Sequence, residues 1–246
     1  MKFSEEYYWA ACQKFTETIL NSENVLGIVV SGSLVHGTIH PNSDIDVYIV
    51  LQENTDFRAR GNTWVDGIEI EYFKNSPQQI RSYFITEKHS PHTAHILAHG
   101  RVIYHNSNIV QDLISEAKSI LNNVPKPMEK VELELSKYEL DDLYKDLEDC
   151  YCNHDDLGSY LIRSKIIQKG IDIFCRSHRV WRFKDKGLNA QISSIDPGFA
   201  KLLHSCLQFT ADDDANNWLE FRQIIEQFLG GRRAKEWKLS SRPVIV

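Results

Sequence analysis

The chain of 246 residues lacks any apolar run close to the roughly 20 residues that span a bilayer. Its opening, MKFSEEYYWAACQKF, is acidic and amphipathic, which is not the make-up of a signal peptide. There is no basic excess either: 28 Lys and Arg stand against 34 Asp and Glu, for a net charge of −6 at pH 7. Proteins that grip nucleic-acid polymers draw much of their affinity from neutralised phosphates, so a nucleic-acid partner is disfavoured. The notable cationic cluster, Arg176, Arg179, Arg182, Lys184 and Lys186, is short. It suits one triphosphate, or equally a solvated interhelical loop. Cysteines are few, odd in number at five and irregularly spaced. They read as reduced thiols of a cytoplasm and not as a disulfide framework. Cys150-Tyr-Cys152-Asn-His154 is too tight for a zinc knuckle and no second pair follows, so these are expected to be helix-surface or core thiols. Internal repeats and low-complexity tracts are absent. What remains is a globular composition, 42% hydrophobic and 11% aromatic, with length for one large or two modest domains.

The densest information lies between Gly27 and Leu51. Leu26 to Val30 and Ile45 to Leu51 are apolar runs of strand length. The first is followed by Gly32 and Ser33, and the second is headed by Asp44 and Asp46. A small residue and a hydroxyl at a strand-to-helix turn suit a phosphate, because free backbone N–H groups point outward there. Aspartates two apart on a strand share a face, and their like charges repel unless a cation sits between them. Hard oxygen donors of this kind favour Mg²⁺. Further on, Ile68, Ile70 and Tyr72 alternate with Glu69 and Glu71, the period of a half-buried strand. Either glutamate could complete a three-carboxylate site.

Gly32-Ser33, a loop of about ten residues, and then Asp44-x-Asp46 resemble the signature of the DNA polymerase β-like nucleotidyltransferase superfamily. That resemblance implies a small mixed-sheet α/β (α+β) catalytic domain with Asp44, Asp46 and a later acid as metal ligands. It points to Glu69 for the third, and assigns Gly32, Ser33 and Ser43 to the nucleotide. Two Mg²⁺ ions and a nucleoside triphosphate, ATP first, are the implied cofactor and substrate. Many relatives carry an arginine shortly after the Gly-Ser pair, where this chain has His36. His36, and His40 further along the loop, could touch phosphate or metal, though an ordinary polar loop residue is the plainer reading.

Past Pro125 and Pro127 the pattern turns helical: Leu140, Leu143, Tyr144, Leu147 and Tyr151, then Ile162, Ile166 and Ile173, then Phe199, Leu202, Leu203 and Cys206, then Trp218, Phe221, Ile224, Ile225 and Phe228. Four amphipathic helices predict an all-α helical bundle over 109–246, following a catalytic domain over 1–108. This order of parts resembles the aminoglycoside nucleotidyltransferases of the kanamycin type. It implies nucleotidyl transfer to a hydroxyl of a small, aminoglycoside-like molecule with release of pyrophosphate, and a homodimer. A weak likeness continues through His99 to Tyr104 and ends in Trp237 and Pro243 to Val246. In those relatives a glutamate and a lysine one turn apart on the first bundle helix approach the acceptor. Here the aligned positions hold Lys145 and Asp149, so the acid and the base are not kept in place. Asp142 and Asp146 could substitute as base, against the plainer reading of a solvated acidic face. Lys184 and Lys186 are further phosphate candidates. A nucleotide-binding regulator without turnover and a protein-nucleotidylating enzyme are the alternative readings.

Overall fold

The computed structural model describes residues 4–37, 39–87, 90–207 and 214–240. The chain forms two compact units, Met1–Asn123 and Val124–Val246. The first unit runs α1 (Glu5–Ser22), β1 (Val25–Ser31), α2 (Ser33–His36), β2 (Ile45–Leu51), β3 (Ala59–Val65), β4 (Ile68–Asn75), α3 (Pro77–Thr86), α4 (His92–His99), β5 (Arg101–His105) and α5 (Asn108–Asn122). Its sheet has the order β3-β4-β2-β1-β5, with β2 and β4 parallel and the other pairs antiparallel.

The sheet is covered on both faces, which is why β1 is apolar and buried along its whole length. Ile28, Val30, Val47 and Ile49 pack toward Tyr8, Cys12, Phe15 and Ile19 of α1. Val29, Tyr48 and Val50 face the other way, onto Ile80 of α3, Leu97 of α4 and Leu113 of α5. Local chemistry sets the ends of the elements. Ser76 and Gln79 close a capping box around Pro77 at the start of α3. Asp66 and Gly67 join β3 to β4, both at positive φ (52° and 76°), as a two-residue turn twisted with its strands requires.

α5 packs against α4 and α3, and Val110, Leu113, Ile114 and Ala117 belong to the core beneath them. The apolar stripe of α5 is buried on this side, and the first compact unit runs to Asn123. The second unit holds α6 (Lys130–Cys152), α7 (Asp156–Ser177), α8 (Asp185–Ile195), α9 (Pro197–Leu207) and α10 (Asp214–Phe228). That is five helices among the described residues where periodicity predicts four. α8 is the addition, its first turn broken at Lys186 and Gly187, where φ is 103° at the glycine. Its core joins Leu140, Leu147, Ile166, Phe174, Phe199 and Phe221. Phe174 stacks on Phe199 at 4.3 Å between ring centres, and Gly170 lets Phe221 approach so closely that a Cβ would sit 2.3 Å from its ring. The five cysteines are thiols and not disulfide-bonded; Cys12, Cys175 and Cys206 are buried. Among the described residues no helix is long and apolar enough to cross a membrane. The segment Pro243 to Val246 lies outside the described residues.

Candidate active site

Strand register builds the site. Parallel pairing sets Asp46 of β2 beside Glu71 of β4, and antiparallel pairing sets Asn62 of β3 on the far side of Glu71. One step along, Tyr48, Phe73 and Arg60 form a second row. One step the other way, Glu69 pairs with Trp64, next to the point where Asp44 leads into β2. All of these share the sheet face that carries Tyr48 and Val50, since side chains alternate along each strand.

The carboxylates brought together are Asp44, Asp46 and Glu71, each offering an oxygen within 4.8 Å of the others, and all three are half-buried. Glu69, to which the resemblance points, stands outside that group of three. Glu69 lies on the same face but two residues nearer the hairpin, so it stands level with Trp64, and its Oε1 accepts a hydrogen bond from Asn62 Nδ2 at 2.5 Å. Glu71 is level with Asp46. Asp44, Glu69 and Glu71 line an open pocket of about 390 Å³ with Arg60, Gly61 and Asn62. Arg60 is a residue that sequence reasoning missed. Its Nε and Nη2 donate to Glu71 Oε1 at 3.1 and 2.7 Å, and its guanidinium lies 4.9 Å from the centre of the Phe73 ring. Strand pairing alone brings it there, and its only signal in the sequence is its distance from the hairpin turn.

Gly32 sits where β1 ends, at φ 77° and ψ −155°, a conformation essentially confined to glycine. A Cβ there would lie 2.2 Å from Asp46 Oδ2. The absent side chain is thus what lets the turn approach the carboxylate pair. Ser33 opens the single turn of α2, and His36 is exposed in it. Ser43 has a local role: its Oγ accepts from the His40 backbone N–H at 2.9 Å and its carbonyl accepts from Tyr8 Oη at 3.2 Å, which together hold the loop that delivers Asp44. His40 is exposed.

The remaining candidates belong to the second unit. Asp142 and Asp146 are exposed on α6, as a solvated helix face would be. It is their neighbour Asp141 that is engaged, with Lys145 at 3.0 Å and with Arg233. Lys184 and Lys186 are exposed. The rest of that cationic cluster has partners: Arg182 pairs with Asp172 and Asp185, Arg176 pairs with Glu132, and Arg179 donates to the Pro125 carbonyl.

Converging carboxylates beside a glycine turn can hold a divalent cation against phosphate, which is equipment for transferring a phosphorus group. Comparison with known proteins makes the class more definite. Residues 13–109 match the family described as Polymerase beta, Nucleotidyltransferase. In tertiary structure the chain is similar to a nucleotidyltransferase-like protein from Exiguobacterium sibiricum 255-15, with a TM-score of 0.53 over 91% of this chain and 74% of that one. At 13% identity that likeness is one of fold. No curated protein matches the chain. The family match, which lies within the first unit, supports a nucleotidyltransferase.

Proposed function

We propose that this chain is a Mg²⁺-dependent nucleotidyltransferase that moves a nucleoside monophosphate, AMP from ATP in the first instance, to a hydroxyl of a small molecule and releases pyrophosphate. The observation that carries the reading is the convergence of Asp44, Asp46 and Glu71 beside the Gly32 turn. Three half-buried carboxylate oxygens within 4.8 Å fit a hard divalent ion, since their mutual repulsion is relieved by a cation among them. Bound Mg²⁺, two ions in this reading, lowers the pKa of the acceptor hydroxyl and neutralises charge on the departing pyrophosphate.

The chain's own residues do the rest. The Gly32-Ser33 turn receives the β- and γ-phosphates, with backbone N–H groups and a hydroxyl in place of bulk. Asp44, Asp46 and Glu71 would hold the ion, and Arg60, which donates to Glu71 Oε1, would compete with it for that carboxylate. The acceptor hydroxyl then attacks the α-phosphorus in line: a P–O bond to the new ester forms, the bond to pyrophosphate breaks, and the hydroxyl proton passes to solvent. The net charge of −6 and the engagement of Arg176, Arg179 and Arg182 support a small acceptor over a nucleic-acid track. An aminoglycoside-like acceptor and a homodimer rest on the sequence resemblance alone.

The test is pyrophosphate release from ATP and the other triphosphates with Mg²⁺, against aminoglycosides, lincosamides and fractionated cell extract. The Asp44→Ala/Asp46→Ala double variant is the control. Acceptor-dependent release that vanishes in the variant supports the transferase. Label appearing on protein redirects it to a macromolecular acceptor, and triphosphate binding without release from any fraction replaces it with the regulatory reading.

A further inference from the structure

We infer that the edge strand β3 is the acceptor-binding surface, with Trp64 as a stacking platform for a hydroxylated ring and the Glu69–Asn62 pair as its hydrogen-bonding partner; this rests on the nucleotidyltransferase reading above. The sheet order is what separates the two substrates. Gly32 and Ser33 follow β1, which flanks β2 on one side, whereas β3 lies beyond β4 on the other. The carboxylates of β2 and β4 stand between them. In-line transfer requires the entering and leaving oxygens on opposite sides of the phosphorus. With phosphates on the β1 side, the entering oxygen comes from the β3 side.

The residues β3 presents there suit one kind of ligand. Arg60, Asn62 and Trp64 alternate onto the carboxylate face, in register with Phe73, Glu71 and Glu69. Trp64 is 64% exposed, directly across the strand pair from Glu69. Cross-strand partners have Cβ atoms about 5 Å apart, so one ring can lie on the indole and reach the carboxylate. An exposed Trp by itself means little, but an apolar face next to a fixed carboxylate–amide pair is the combination a polyhydroxylated ring recognises: C–H groups on the indole, hydroxyls on Glu69 and Asn62. Glu69 also sets the charge. It is held by an amide, not by a cation, so it repels an anionic acceptor and accepts a neutral or amino-bearing one.

The experiment uses two probes on the full chain with Mg²⁺: methyl α-D-glucopyranoside, followed by saturation-transfer NMR, and α,β-methylene-ATP, followed by calorimetry. Wild type is compared with Trp64→Ala and Trp64→Phe, with a thermal melt of each to establish folding. The expected result is saturation of the pyranoside ring protons in wild type and Trp64→Phe, at least a five-fold loss in Trp64→Ala, and nucleotide affinity within two-fold throughout. A ten-fold loss of nucleotide affinity in Trp64→Ala overturns the inference and makes the indole a nucleobase platform. Pyranoside saturation that is absent in wild type, or unchanged in Trp64→Ala, also overturns it. If the pyranoside result holds but wild type binds no nucleotide, the surface stands and the nucleotidyltransferase reading falls.

Discussion

Replacing Gly32 with alanine tests the link between backbone and chemistry most directly. Two costs add. The φ of 77° with ψ of −155° is a region a Cβ disfavours by about 1–3 kcal/mol. The new methyl would also sit 2.2 Å from Asp46 Oδ2, well inside the 3.0 Å that real contacts respect. Either the turn or the carboxylate must move by about 0.8 Å, and a displacement on the order of 1 Å at a reacting centre costs about 10²-fold in rate. Gly37 is the matched control. It has a similar φ of 68°, yet a Cβ there meets nothing within 4 Å. Gly37→Ala should lose about 1–2 kcal/mol in a urea titration and keep its turnover. Gly32→Ala should lose about 1–3 kcal/mol and about 10²-fold in acceptor-dependent pyrophosphate release, with weakened Mn²⁺ binding by equilibrium dialysis. Turnover near wild type in Gly32→Ala, or an equal loss of turnover in Gly37→Ala, would refute the reasoning, since only the Gly32 methyl meets a site carboxylate.

Glu71→Gln should weaken Mn²⁺ binding about 10-fold or more, whereas Glu69→Gln should leave it within about two-fold; the reverse order would return the third ligand to Glu69. Arg60→Ala removes the cation that competes for Glu71. With its side chain 69% exposed, that pair is worth about 0.2–1 kcal/mol, so Mn²⁺ affinity should rise by about 1.4- to 5-fold, and a fall would show that Arg60 supports the site instead. Phe174→Ala, in the aromatic stack of the helical unit, should cost about 3–5 kcal/mol in chemical denaturation. Burial pushes the Cys12 and Cys175 thiols up to about 11, so at pH 8 iodoacetamide should label the exposed Cys152 first and reach those two only on unfolding; mass spectrometry of the labelled peptides decides it.

Much of this architecture is written locally. Ser76, Pro77 and Gln79 announce the start of α3, and the apolar runs Val25 to Val30 and Val47 to Leu51 announce strands buried on both faces. The elements that escape a sequence reading are those whose signal is diluted. β3, ARGNTWV, is a half-exposed edge strand, so only alternate positions are shielded and its apolar content is low. α8 is interrupted at Gly187 within its first turn. α5 does carry a legible stripe, Val110, Leu113, Ile114 and Ala117, but its helical period does not say which unit buries it.

The same division runs through the site. Spacing along the chain determined that Asp44 and Asp46 project to one side of their strand and that Glu69 and Glu71 project to one side of theirs, because these are properties of a single strand's period of two. Which glutamate joins the aspartates is a question of level between two strands, and only the parallel register of β2 with β4 decided it, placing Glu71 opposite Asp46. Arg60, Asn62 and Trp64 entered through a second register, that of the β3–β4 hairpin, which the Asp66-Gly67 turn fixes once β3 is recognised as a strand. A period is carried by neighbours in sequence, but the register of two strands that are not joined by a turn, as of β2 and β4, is set by hydrogen bonds and packing between separate segments, so it exists only once the sheet has formed.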